Sequence, residues 1–60
     1  MTREYAAVAL LRHGPLTLSQ FCQITRWPTT QECIETLNSL RLTGQVRRRN
    51  VDGNHIYEAV

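Results

Sequence analysis

Polar and apolar residues alternate at the spacing of an amphipathic helix in the first quarter of the chain. The apolar side chains that this spacing places on or beside one face are Tyr5, Val8, Ala9, Leu10 and Leu11. Thr2 can cap the helix at its N-terminus, and Gly14 followed by Pro15 is a stop signal. The pattern therefore predicts a first helix from Thr2 to His13.

A second helix is predicted to begin at the run Thr17-Leu18-Ser19-Gln20. This run is a capping box, in which the threonine hydroxyl and the glutamine side chain each bind a backbone N–H group of the other residue. Pro28 disfavours helical backbone at Trp27. We therefore expect the second helix to end near Thr25 or Arg26.

The run Thr29-Thr30-Gln31-Glu32 is a second capping box and predicts the start of a third helix. Its apolar stripe consists of Cys33, Ile34, Leu37 and Leu40. Gly44 follows the stripe and ends the helix. Two helices joined by so tight a turn are typical of a helix-turn-helix. The residues that we expect to be largely buried together are Val8, Phe21, Trp27, Leu37 and Leu40.

After Gly44 the hydrophobic pattern changes from helical to extended. Gln45 to Asn50 and His55 to Val60 flank the turn-forming run Val51-Asp52-Gly53-Asn54, and this arrangement predicts a β-hairpin. The hairpin thus completes a single α+β domain over residues 1–60.

The register of the hairpin has two alternatives. A turn centred on Asp52-Gly53 places Arg47 across from Glu58, whereas a turn centred on Gly53-Asn54 places Arg49 across from Glu58.

The chain of 60 residues is 42% hydrophobic and carries a formal net charge of +2. That charge is mild, but its distribution is uneven, because every basic residue is an arginine and more than half lie in the last third of the chain. These residues are Arg41, Arg47, Arg48 and Arg49. Such a patch is typical of a weakly basic nucleic-acid binder, and a solvated strand face is the alternative interpretation.

Alternation along a strand sends Arg48 to the face opposite Arg47 and Arg49. We therefore expect Arg47 and Arg49 to form one pair that faces phosphate. Arg48 is expected either to pair with an acid or to lie over the edge of the core.

Two cysteines, Cys22 and Cys33, fall on neighbouring predicted helices. They are too few for a secreted disulfide framework, and buried packing as free thiols is the expected role. His13 and His55 lack the spacing of a zinc site. The chain shows no signal peptide and no stretch that could span a membrane, so a cytoplasmic location without a membrane partner is expected.

No catalytic constellation stands out in the sequence. The acidic residues are isolated, and no glycine-rich phosphate loop is present. We therefore expect no enzyme activity, no cofactor and no small-molecule substrate.

The order of helix, short extended link, helix, tight turn, helix and arginine-rich hairpin resembles the winged helix-turn-helix family. The stretch from Leu37 to Arg49 is similar to that family's junction between helix and wing, and His55-Ile56-Tyr57 is similar to the returning strand. The resemblance implies a small bacterial or phage transcription regulator that binds double-stranded DNA. It also implies that the third helix lies in the major groove while the hairpin contacts the backbone or the minor groove.

The polar face of the third helix carries side chains suited to this role. Gln31 and Asn38 could each make two hydrogen bonds to adenine, and Thr30 could meet a phosphate at the helix N-terminus. Glu32 and Glu35 count against entry into the groove. The candidate DNA-binding residues are Thr29, Thr30, Gln31, Glu35, Asn38, Arg41, Arg47, Arg48, Arg49 and Asn54.

A second function class remains open. The acidic third helix could instead dock on another protein, so that the domain is an interaction module. For DNA binding, one domain covers only a short stretch of duplex, so we expect useful affinity to require a homodimer, with the first helix as its surface, tandem sites or a partner protein.

Overall fold

The computed structural model describes residues 2–60 and is an α+β fold, as expected. Three helices pack on one side of a three-stranded antiparallel sheet of strand order β1-β3-β2. The elements in chain order are α1 Arg3–Leu11, β1 Leu16–Thr17, α2 Leu18–Thr25, α3 Thr30–Leu42, β2 Val46–Val51 and β3 Asn54–Ala59.

The three predicted helix starts are confirmed by their caps. The Thr2 side chain accepts a hydrogen bond from the backbone N–H of Tyr5 at 3.1 Å. Both capping boxes form: Thr17 with Gln20, and Thr29 with Glu32. These bonds satisfy backbone donors that a helix N-terminus otherwise leaves unpaired.

The first helix is shorter than predicted, since it ends at Leu11 rather than His13. The N–H groups of His13 and Gly14 each bond the carbonyl three residues earlier, at 3.1 and 3.2 Å. Pro15 disfavours helical backbone at Gly14, so the chain tightens into a turn and leaves the helix.

The turn between α2 and α3 is closed by a left-handed residue and an aromatic pair. Arg26 adopts φ 53°, and its N–H bonds the Cys22 carbonyl at 3.0 Å. The Trp27 ring meets Phe21 edge to face, with centroids 5.4 Å apart. Trp27 is partly buried and packs against the core, and the guanidinium of Arg3 lies 5.8 Å from its ring centroid.

The end of α3 is a Schellman motif built on Gly44. The Gly44 N–H bonds the Arg41 carbonyl at 3.2 Å, and the Gln45 N–H bonds the Leu40 carbonyl at 2.9 Å. Gly44 has φ 81°, a conformation that side chains disfavour. The motif ends the helix and redirects the chain directly into β2.

The hairpin adopts the first of the two predicted registers. Arg47 pairs with Glu58, and the two turn residues are Asp52 and Gly53, with φ 53° and 83°. Two positive φ angles define the type I′ turn, whose twist matches that of the flanking strands. The Asn50 side chain accepts a hydrogen bond from the Gly53 N–H at 3.1 Å and so holds the turn.

The segment expected to be only an extended link is a short strand. In β1, Leu16 pairs with Tyr57 and Thr17 with Ile56 of β3. This pairing makes β3 the central strand and leaves β2 at the edge of the sheet.

The core contains most, but not all, of the residues predicted for it. Phe21, Leu37 and Leu40 are fully buried as expected, whereas Val8 is only partly buried. The full set of buried apolar residues is Ala7, Leu11, Phe21, Cys33, Leu37, Leu40, Val46 and Tyr57.

The face that α1 turns inward differs from the predicted one. Ala7 and Leu11, four residues apart, are buried, while Tyr5 is 67% exposed and Ala9 is exposed. A small residue at position 7 lets α1 approach α3 closely, and Tyr5 then lies outside the contact. Leu10 packs against the core from its margin.

The two cysteines lie on facing helices as free thiols. Cys33 is buried, and the Thr25 hydroxyl lies 3.8 Å from its Sγ. Burial of the Cys22 thiol, together with its hydrogen bond to Cys33 and the charge of that neighbour, raises the pKa of Cys22 to about 11. Cys22 is therefore protonated at neutral pH.

We expect Leu37→Ala to lower the free energy of unfolding by about 2 to 5 kcal/mol, because it removes a fully buried side chain at the centre of the core. A domain of this length has roughly 3 to 9 kcal/mol in total. Thermal denaturation followed by circular dichroism measures the loss. The control is Tyr5→Ala, which should stay within about 0.5 kcal/mol; an equal effect of both would contradict the position of α3.

We expect Cys22 to react with iodoacetamide roughly ten- to a hundredfold more slowly than free cysteine at neutral pH, because its raised pKa leaves little thiolate. Mass spectrometry of timed samples gives the rate, and denaturant should restore the rate of free cysteine.

Excess reductant and excess chelator should each leave the thermal midpoint unchanged. A large fall with either would show that a disulfide or a metal stabilises the fold.

Candidate nucleic-acid interface

The outer face of α3 is a stripe of exposed side chains opposite the buried face of the helix. Gln31, Glu35, Asn38 and Leu42 follow one another at intervals of four, three and four residues, and all are exposed. This helical spacing aligns them on one line along the helix, so that a single partner could contact all four side chains together.

Hydrogen bonds within α3 hold the two candidate base-reading amides. Gln31 Nε2 donates to Glu35 Oε1 at 3.1 Å, and Arg41 Nη1 donates to Asn38 Oδ1 at 3.3 Å. The Gln31 carbonyl oxygen and the Asn38 amide N–H groups take no part in these contacts. Each amide therefore retains hydrogen-bonding groups that could bind the edge of a base. The bond between Arg41 and Asn38 also holds the Arg41 side chain beside Asn38.

At the start of α3, Glu32 has its predicted capping role and a second partner in α1. Its Oε1 lies 2.7 Å from Arg3 Nη2, and its Oε2 accepts the Thr29 N–H at 3.3 Å. Glu32 is thus turned toward α1 and partly neutralised, so it counts less against entry into a groove than its charge alone suggested. The Thr29 hydroxyl is used as the cap, whereas Thr30 is exposed beside it.

The outer face of the hairpin carries Arg47 and Arg49 around one carboxylate. Glu58 Oε1 lies 2.8 Å from Arg47 Nε and 3.1 Å from Arg49 Nε, and the Glu58 side chain is only 14% exposed. The two arginines share a face as predicted. Both pair with Glu58, which the adopted register places across from Arg47, so this face has one excess positive charge rather than two.

Arg48 lies on the other face of the hairpin, across from the buried Tyr57. That is the face on which the helices pack, although Arg48 itself is exposed. Of the two positions expected for Arg48, the one over the edge of the core agrees with this side of the hairpin. Asn54 is exposed at the tip of the hairpin, next to the turn.

An open groove of about 620 Å³ separates the C-terminal half of α3 from β2. We call it the α3–β2 groove. Its lining residues are Asn38, Arg41, Leu42, Gly44, Val46, Arg47, Arg48 and Val60. Candidate residues from α3 and from the hairpin thus meet at one concave surface, with Arg41 and Asn38 on one wall and Arg48 on the other.

The sequence did not identify Glu58, which pairs with the arginines of the outer hairpin face, or Leu42, which lines the groove, as residues of the candidate interface. The signal for Glu58 was present, because one of the two registers placed it across from Arg47. Leu42 lies four residues after Asn38, and helical spacing alone would have placed it on the same stripe. Its exposure, however, depends on how α3 packs, which the spacing does not show.

Within residues 2–60, no group of three or more His, Cys, Asp or Glu side chains is arranged to hold a metal ion. No helix in that part of the chain has the length and apolar character needed to cross a membrane.

A scan against protein-family models, a search of curated proteins and a search of solved structures each returned no significant match to this chain.

Proposed function

We propose that this domain binds double-stranded DNA sequence-specifically, as a small transcription regulator of the winged helix-turn-helix type. The observation that carries the proposal is the α3–β2 groove, where Asn38 and Arg41 of α3 face Arg48 of the hairpin. A polar helix face and a basic hairpin beside one concave surface suit a duplex, which offers base edges and phosphates side by side.

The topology supports the same proposal. The chain runs helix, strand, helix, helix and hairpin, and β1 closes the sheet against β3. The link between α2 and α3 is short and held by Arg26 and Trp27. These features agree with a helix-turn-helix followed by a wing.

In this proposal the contacts divide by chemistry. Arg41 and Arg48 bind phosphates from the two walls of the groove, since a guanidinium can hold phosphate oxygens with two parallel hydrogen bonds. Gln31 and Asn38 read base edges in the major groove. Thr30 contacts a phosphate at the N-terminus of α3.

The alternative, a protein-interaction module that docks through an acidic third helix, has less support. Glu32 is bound to Arg3 and to the backbone of Thr29, so Glu35 is the acid that α3 presents on its outer stripe. A single carboxylate beside Gln31 and Asn38 is a weak acidic surface.

We expect Arg48→Ala and Arg41→Ala to weaken binding to all duplexes about equally, because phosphate contacts carry no sequence information. Each should lower the slope of log affinity against log salt by about one. Fluorescence anisotropy with labelled duplexes over a range of salt concentrations gives both quantities. Arg47→Ala and Arg49→Ala should have smaller effects, since Glu58 already neutralises part of their charge.

Glu58→Gln is the matched test of that last point. Removing the carboxylate releases both arginines, so affinity for every duplex should rise and the salt slope should steepen. If instead the parent protein binds no duplex at low salt, or if all four arginine substitutions are silent, the proposed function is wrong.

We expect Gln31→Ala and Asn38→Ala to behave differently from the arginine variants. Each should lose roughly 1 to 3 kcal/mol on the preferred site with little change on random DNA, because a bidentate contact discriminates between bases. Selection from a random duplex library identifies the preferred site, and titrations on that site and on a scrambled one measure the difference. Equal losses on both sites would remove α3 as the reading element.

A further inference from the structure

The strand β2 lies at the edge of the sheet, with β3 on one side only. In a hairpin with a two-residue turn, the pair next to the turn exchanges backbone hydrogen bonds, and every second pair after it does the same. Val51, Arg49 and Arg47 therefore bond to β3. The alternate residues Val46, Arg48 and Asn50 point their backbone N–H and C=O groups away from β3.

The hydrogen bond beyond the end of the strands confirms this alternation. The Val60 N–H bonds the Gln45 carbonyl at 3.1 Å, which continues the series of bonded pairs by one further step. The outward backbone groups of β2 thus lie along the open edge of the sheet, and Val46 and Arg48 of the same strand also line the α3–β2 groove. They form a row that another extended chain could bind.

Apolar side chains are exposed at the end of this groove where β2 begins. Leu42 is 89% exposed and Val60 is 83% exposed, and both line the groove. Beside unpaired strand backbone, an exposed leucine and valine offer an apolar contact to the side chains of an added strand.

The charge of the groove restricts what can bind there. Among the described residues that line it, three are arginines, of which Arg47 is paired with Glu58, and none carries a carboxylate side chain. A second copy of this chain pairing edge to edge through β2 would bring Arg48 near its own counterpart, and like charges across adjacent strands are destabilising. An acidic strand has the complementary charge.

We propose that the α3–β2 groove binds an extended acidic segment of a partner protein. The segment pairs with β2 as a fourth strand, places an apolar side chain against Leu42 and Val60, and places carboxylates beside Arg41 and Arg48. This is a second binding activity beyond DNA binding. Because Arg41 and Arg48 take part in both, the strand and a duplex exclude each other.

The probe is a short blocked peptide with an apolar half of valine and leucine and an acidic half in which glutamate alternates with threonine. The peptide and its reversed sequence test both chain directions. Titration into ¹⁵N-labelled protein without DNA should shift the amide signals of Arg48 and Asn50 and slow their hydrogen exchange. The amide of Arg49, already bonded to β3, should gain little protection.

N-methylation separates strand pairing from simple charge attraction. Two peptides carry methyl groups on alternate backbone nitrogens, one on the nitrogens that face β2 and the other on those that face away. The first peptide should not bind, and the second should bind nearly as well as the unmethylated peptide. Lysine in place of glutamate should abolish binding. Equal binding by both N-methylated peptides would overturn the proposal.

Variants of exposed residues provide the second test, since they leave the core intact. Arg48→Glu should weaken peptide binding by about tenfold or more, and Leu42→Gln should also weaken it. The matched control is Arg12→Glu, which makes the same charge change at an exposed position on the end of α1 and should leave binding within about twofold. Two results would show that the groove has no site for a strand. One is an equal loss of peptide affinity with Arg12→Glu. The other is that the amide signals of Arg48 and Leu42 shift when duplex is added but do not shift with any of the peptides. Neither result would affect the proposed DNA binding.

Discussion

The inner face of α3 is the surface on which the rest of this small domain is assembled. Cys33, Leu37 and Leu40 are almost completely buried, and α3 is in contact with α1, α2 and β2. A chain of 60 residues has too little apolar surface for two cores. The other two helices and β2 therefore meet at this one helix, and the position of α3 fixes which of its side chains remain on the outside.

The fixed position of α3 also explains the composition of its outer face. With Cys33 and Leu37 directed inward, helical geometry turns Gln31, Glu35 and Asn38 outward together. The Schellman motif at Gly44 then leads the chain into β2 without a long loop. As a result the hairpin begins beside the outer stripe of α3, and a groove between them follows from the connection itself.

Features encoded by neighbouring residues could be predicted from the sequence. The caps at Thr2, Thr17 and Thr29 depend on contacts three residues apart, and each forms as expected. The Asp52-Gly53 turn was one of two registers open from local residues, and the pairing of Arg47 with Glu58 decides between them. The physical cause of each of these features lies in residues a few positions apart, so it can be read from the local sequence.

Features that depend on distant residues were predicted less well. Ala7 was overlooked and Tyr5 was placed inward, because the face that α1 buries depends on how closely it can approach α3. The strand β1 has only two residues and exists because β3 pairs with it.

The same distinction holds for the candidate site. Its residue types could be read from the sequence, but their partners could not. The capping role of Glu32 could be predicted from its neighbours, but its ion pair with Arg3, 29 residues away in the chain, could not.

The two faces of the hairpin have different charge as a consequence of one carboxylate. Glu58 lies among Arg47 and Arg49 on the outer face, and alternation of the strand keeps it away from Arg48. Arg48, on the side of α3, is therefore separated from that carboxylate and lines the α3–β2 groove with Arg41. An arginine at a strand edge discourages edge-to-edge pairing with a second copy of the chain and attracts polyanions or acidic segments. One charge distribution thus opposes pairing of two copies through β2 while it favours the two kinds of partner proposed for this groove.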